Sequence, residues 1–384
     1  MKKNISAIAV VITCAALFST QVFATKEMVS AEETVPAVVQ TSKAPTVYVL
    51  SLADAIELAV KDNPQLSACE AEQKSNYINL DAQKRTKRKY EKITASASNY
   101  DVMYIKKGYY VHTYEMMIRL NNKKVEQVKS QLAYNVTQSY FNYKIACSLR
   151  EIAVNAHTLA TENYNSVKTR FDLGMIAELD LKNAQLSVEQ CKNTLTSYER
   201  KCALAKENLK FNLRLDGKNC DFILTDDITY DEFSADLETD LVAAYENRYD
   251  INALKENYLL SKEYFEYTKP LSPTTAKYQT AYSSYIQTEY EYSNNKKLIG
   301  LSIKNTYNSV LDASESLEIA KKSAEIAKKT YEINKVKFEN GMITNSDLTK
   351  SLNDYLNSNI SLENAKLTYK LAEEKYAYEI SIGL

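Results

Sequence analysis

Two carboxylates, Asp180 and Asp347, occupy the same place in two copies of one segment. RFDLGMIAELDL (Arg170 to Leu181) and KFENGMITNSDL (Lys337 to Leu348) align without a gap, 167 residues apart, and share six of twelve residues. Each Asp comes six residues after a glycine, near the start of the helix that follows, where a carboxylate complements the helix dipole. Between them stand Gly174, Met175, Ile176 and Gly341, Met342, Ile343. Glycine supplies the left-handed backbone that ends a helix. Met-Ile at a turn makes an apolar knob suited to docking a partner; a turn that merely caps its hairpin is the plainer reading.

Little else in the chain could do chemistry. The only histidines are His112 and His157, and neither has a carboxylate or cysteine at ligand spacing. No P-loop, glycine-rich dinucleotide turn, zinc spacing or nucleophile elbow is present. The chain is therefore not read as an enzyme, and no cofactor or metal is implied. Cys14 lies in an N-terminal apolar run, and the other five cysteines are too scattered to make a disulfide framework. Cys191 and Cys202 sit on one predicted helix, about 16 Å apart along its axis, and read as small core residues. Lys84, Arg85, Lys87, Arg88, Lys89 and Lys92 form a basic run, either a solvated helix face or a contact for anionic lipid or envelope polymer. With a formal net charge of -1 over 384 residues, no basic field argues for nucleic acid.

The elements that must position the repeated segment are long helices. Gly (6) and Pro (5) are scarce and Trp is absent, while Tyr reaches 30. That composition disfavours an all-β fold, and tyrosine suits half-buried seams. Periodicity predicts a helix from about Ala276 to Asn340. One stripe on it runs Ile303, Thr306, Val310, Ala313, Leu317, Ala320, Ala324, Ala327, Tyr331, Asn334, Phe338, with steps of three and four, the seam of a coiled coil. A second stripe, Ile319, Ser323, Ile326, Thr330, Ile333, lies beside it. Two seams call for neighbours on two sides, as in a helical sheet or tube. Moving back 167 residues gives a matching seam from Val136 through Tyr143, Arg150 and His157 to Phe171. The return helices carry seams of their own, from Leu181 to Leu209 and from Leu348 to Tyr376. Each Gly-Met-Ile is then the tip of an antiparallel helical hairpin.

Residues 1–24 read as a secretory signal, with Lys2 and Lys3, an apolar run from Ile5 to Phe18, and Val22-Phe23-Ala24 as a cleavage site. A retained membrane anchor and a lipoprotein at Cys14 are the rival readings. Residues 25–50 are an extended leader, 51–214 a first helical repeat, 215–237 a linker with turns and a short strand, and 238–384 a second repeat. An offset of 185 residues between Asn63-Pro64-Gln65-Leu66 and Arg248-Tyr249-Asp250-Ile251 falls to 167 at the tips, so the first repeat carries 18 extra residues. Their expected place is 96–118, where Tyr, Val and Ile flank Lys106-Lys107-Gly108 in the manner of a β-hairpin. KPLSPTT (Lys269 to Thr275) reads as a plain turn. The fold class is mainly α: tandem long-helix coiled-coil hairpins, with at most one short β-hairpin per chain.

From about Leu50 to Leu384 the chain resembles the TolC family of outer-membrane efflux proteins. LSLADAIELAVKDNPQL looks like that family's opening helix, YDINALKEN (Tyr249 to Asn257) like its echo, and the two Gly-Met-Ile tips like its hairpin tips. The resemblance implies a homotrimeric α-barrel capped by a β-barrel in the outer membrane of the cell envelope. It implies passive conduction in tripartite efflux or type I secretion, with a membrane-fusion adaptor and an inner-membrane pump as partners. Carried over, Gly174, Met175, Ile176, Gly341, Met342 and Ile343 become adaptor contacts. Asp347, with Asp180, becomes a candidate channel gate, where a ring of carboxylates would favour cations and raise its own pKa. Where some members have a second Asp, this chain has Lys350, so a double acidic ring is not expected. The family's barrel needs several long strands per protomer, more than this sequence offers. A non-conducting coiled-coil envelope scaffold using the same hairpins is the alternative. An adaptor is a third reading, but the chain lacks a recognisable lipoyl-like β domain.

Overall fold

The computed structural model describes residues 45–92, 100–228, 230 and 233–383. The signal segment expected over 1–24, the leader as far as residue 44 and the first residues of the expected β-hairpin (96–99) lie outside them.

Two helices of 64 residues dominate. In chain order the described elements are β1 (Thr46–Leu50), α1 (Leu52–Val60), α2 (Pro64–Glu91), α3 (Tyr100–Lys107), α4 (Tyr109–Asp172), α5 (Glu178–Asn212), β2 (Cys220–Leu224), α6 (Leu237–Asn247), α7 (Tyr249–Thr268), α8 (Ala276–Glu339) and α9 (Asn345–Ile380). α4 and α8 have the same length and lie 167 positions apart at both ends. At 1.5 Å per residue each is about 96 Å long. The extra residues of the first repeat all fall ahead of Tyr109, because 64–108 corresponds to 249–275.

The helices form a layer in the order α5, α4, α9, α8, with α4 and α9 joining the two repeats. α2 begins beside the end of α5, where the Arg214 guanidinium donates to the Asp62 carbonyl at 2.7 Å, and continues that column along α4. α7 begins beside the end of α9, where the Tyr249 amide donates to the Ile382 carbonyl at 3.0 Å, and continues along α8. Arg248 secures this joint. It is 6% exposed, forks onto Asp250 at 3.0 and 2.8 Å, and donates to the Glu379 carbonyl at 2.8 Å, satisfying the end of α9.

Most of the heptad seam on α8 is buried: Ile303 and Val310 are fully covered, Thr306, Ala313, Leu317, Ala324 and Phe338 nearly so, and Ala320, Ala327, Tyr331 and Asn334 half-buried. Small alanines allow close approach, and Gly300 goes further, since a Cβ there would lie 2.2 Å from the Tyr245 hydroxyl of α6. In the first repeat Val136, Ser139, Tyr143, Ala153, Ala160 and Val167 are buried in the same register, while Arg150 turns out to solvent.

Mid-layer, β1 pairs in parallel with β2, Thr46 opposite Cys220 through Leu50 opposite Leu224. This two-stranded sheet ties the N-terminal segment to the connection between repeats. Tyr140 of α4 fixes it, donating to the Leu50 carbonyl and accepting from the Asp226 amide, both at 3.1 Å, with no exposure. Ser51 and Asp54 form a capping box that starts α1, and Asn63 with Pro64 starts α2.

The β-hairpin expected over 96–118 is corrected: residues 100–118 are helical. Gly108 does take a left-handed backbone, φ 88°, but as the joint between α3 and α4. The β-favouring tyrosines pack along helices instead. Tyr104 and Tyr109 meet Tyr264 of α7 at ring separations of 4.9 and 5.4 Å, and Phe265 stacks on Tyr285 of α8 at 5.5 Å. Tertiary packing of aromatic rings overrides the local propensity. In the second repeat, α7 and α8 are joined by the turn 269–275 without a strand. Among the described residues, no helix is long and apolar enough to cross a membrane.

Candidate functional site

The two hairpin tips come together at one end of the layer. Each outgoing helix closes with the same main-chain pattern. Met175 N–H bonds the Arg170 carbonyl at 2.9 Å and Gly174 N–H the Phe171 carbonyl at 2.8 Å; Met342 bonds Lys337 at 2.8 Å and Gly341 bonds Phe338 at 3.0 Å. Gly174 and Gly341, at φ 69° and 71°, supply the left-handed residue this Schellman closure requires.

That closure parts the Met-Ile pair. Ile176 and Ile343 turn inward against a shared core of Val167, Ala184, Phe338 and Leu348. Met175 and Met342 turn outward, 70% and 74% exposed. The apolar knob is therefore one methionine per tip rather than two side chains. Leu173 and Leu179, 69% and 67% exposed, extend the apolar surface of the first tip. The repeat does not mark them, because the second copy has Asn340 and Ser346 in their places. Arg170 sits over the Phe338 ring, 4.4 Å from its centre, and links one tip to the other.

The two aspartates differ in their surroundings. Asp347 forms a capping box with Thr344: its carboxylate accepts from the Thr344 amide at 3.1 Å and hydroxyl at 2.7 Å, while its own amide donates back to that hydroxyl at 3.2 Å. The Thr344 side chain, then its backbone, holds the Asp347 carboxyl below the usual range. Asp180 has no such partner, because Ala177 stands where Thr344 does and offers no side-chain cap. Its amide bonds the Ala177 carbonyl at 3.0 Å. Beneath the second tip Asn345 is 6% exposed, and both polar atoms of its amide lack a partner among the described residues.

A second candidate surface lies along the edges of the layer. Ile319, Ile326 and Ile333 on α8, one heptad apart, are 66%, 66% and 55% exposed. These isoleucines belong to the second stripe read from the sequence, and no other helix among the described residues covers them. The other edge, α5, exposes Leu179 and Leu186, then Leu204 and Phe211, each pair one heptad apart. Within the basic run, Lys84 pairs with Glu115 of α4 at 3.2 Å and Arg85 with Asp81. His157 lies half-buried on α4, and His112 contacts Glu263 of α7 at 2.7 Å. Among the described residues, no group of three or more His, Cys, Asp or Glu side chains is placed to hold a metal.

No family model matches the sequence, and no curated protein matches it. Solved structures do. The Campylobacter jejuni CmeC outer membrane channel superposes with a TM-score of 0.69 at 14% identity, over 94% of this chain and 95% of that one. A Pseudomonas aeruginosa membrane protein gives 0.71 at 10% identity, over 86% and 90%. The open state of the Neisseria gonorrhoeae MtrE outer membrane channel gives 0.65 at 12%, over 86% and 89%. The chain has a TolC-like fold.

Proposed function

We propose that this chain is the envelope channel component of a tripartite efflux or type I secretion system. It works as a homotrimeric passive conduit, exported to the outer envelope, with the hairpin tips docking on a membrane-fusion adaptor and an inner-membrane pump supplying the energy. The observation that carries this reading is the pair of open edges. α5 and α8 are different helices, so pairing the α8 edge of one copy with the α5 edge of the next is a head-to-tail contact, which generates a ring when its rotation closes. Apolar stripes at heptad spacing on both edges suit that contact. The likeness of the whole layer to solved outer membrane channels supports it further.

A second reading, a non-conducting coiled-coil scaffold, draws support from the far end, where α7 and α8 meet in a turn instead of strands. Native mass measurement of the purified protein, combined with conductance in planar bilayers, separates the two. A trimer that conducts supports the conduit. A stable monomer without conductance overturns it, and an oligomer without conductance favours the scaffold.

A further inference from the structure

Cys147 of α4 and Cys202 of α5 face each other across the first hairpin, with their sulfurs 3.3 Å apart. Both are free thiols, Cys202 buried and Cys147 half-buried, in the core beneath the two-stranded sheet. They are 55 residues apart in sequence, and Ala146 and Ala205 beside them keep the helices close. Cys69, Cys191 and Cys220 are free and buried elsewhere, on α2, on α5 and in β2.

We propose that Cys147 and Cys202 are an oxidation site, forming a disulfide that staples α4 to α5 when the chain matures in an oxidising compartment. The oxidant is a low-molecular-weight or protein disulfide. One cysteine thiolate attacks it and expels one of its sulfurs as a thiol; the second cysteine then displaces the other. Two protein thiols are oxidised, the oxidant's disulfide is reduced to two thiols, and the two protons pass to them. The sulfurs must draw together by about 1.2 Å to reach bonding distance, within the reach of small χ1 changes. Burial, with the neighbouring Cys202, pushes the Cys147 thiol up to about 11, so the closed pair holds little thiolate at neutral pH. Oxidation is therefore fast before the two helices close and slow afterwards, and the finished bond is shielded from reductants by the same core.

The staple has no counterpart in the second repeat, where the equivalent positions are Ser314 and Tyr369. It fixes the register of α4 against α5 and leaves α8 and α9 untied. Export supplies the setting for this proposal but not its geometry, so the test is made on purified full-length chain. The protein is refolded with oxidised glutathione, denatured without reductant, alkylated with N-ethylmaleimide and mapped by peptide mass spectrometry. The expected result is one cross-linked pair containing Cys147 and Cys202, two hydrogens lighter than the free peptides, with Cys69, Cys191 and Cys220 alkylated. Reductant should also lower the melting temperature of the wild-type chain and leave that of Cys147→Ser and Cys202→Ser unchanged. Alkylation of both Cys147 and Cys202, or a bond from either of them to Cys220 instead, overturns the proposal.

Discussion

The Arg170 guanidinium lies 4.4 Å above the centre of the Phe338 ring, so the last turn of α4 grips the last turn of α8 although the two helices are separated by α9 in the layer. Phe338 is 8% exposed and belongs to the core shared by both tips. Arg170→Ala should remove about 0.5–1 kcal/mol of local stability, typical of a partly exposed cation–π contact. Phe338→Ala should cost about 3 kcal/mol, because it also leaves a cavity. Hydrogen exchange should quicken in 165–181 and 335–350 while the mid-layer sheet keeps its protection. Equal loosening throughout the chain would show that the tips are not a separate unit.

Asp347 has an acid-dependent role that can be read by its sign. Its bonds to Thr344 hold the folded carboxyl below the ordinary 3.8. The stabilisation of the α9 start is then fully present above the unfolded value and disappears as pH falls through the depressed folded one. Acid should fray residues 345–348 first, and Asp347→Asn should show the same fraying at neutral pH. In the proposed ring, neighbouring Asp347 carboxylates would push the pKa the opposite way. Carboxyl titration by NMR in the isolated and assembled protein compares the two. An unchanged low value on assembly would remove Asp347 as a gate.

The helical part of this fold was legible because burial follows the heptad. α8 begins at Ala276, most of its seam from Ile303 to Phe338 is covered and the rest half-buried, and the isoleucines of its second stripe are bare. What failed was local. Tyr, Val and Ile around Lys106-Lys107-Gly108 carry β propensity, yet Tyr104 and Tyr109 gain more by packing on Tyr264 across 155 or more residues of chain. The Cys147–Cys202 contact and the pairing of β1 with β2 are also non-local, and no periodicity within one helix announces them. At the tips, residue identity marked the turn, but only the Schellman geometry separates an outward methionine from an inward isoleucine.

If the open edges close a ring, charge placed on either of them should disperse it. Ile326→Glu on α8 and Leu204→Glu on α5 alter side chains that are 66% and 64% exposed in the protomer. Fold and helix content should therefore stay as they are. Burying each original side chain against a neighbouring copy is worth roughly 2 kcal/mol, and a carboxylate there adds a desolvation cost. Light scattering across a dilution series should show the wild-type assembly and smaller species for both variants. An assembly of unchanged mass and affinity in both would place the copy-to-copy contact elsewhere.

Met175→Asp and Met342→Asp test docking with least disturbance to the fold. Both methionines are mostly exposed, and the main-chain bonds that close each turn do not use their side chains. The stability of the protomer should shift by no more than about 0.5 kcal/mol. Gly341→Pro would be a poor substitute for them. Proline cannot adopt φ 71° and has no N–H to offer the Phe338 carbonyl, so it would dismantle the closure itself. A carboxylate in place of an apolar anchor should instead weaken a hydrophobic interface directly. Export from cells carrying the double variant should fall sharply, with normal protein levels, normal assembly and reduced crosslinking to the adaptor. Normal export with normal assembly would mean that the methionines only cover a turn, and the docking surface would then have to be sought away from the tips.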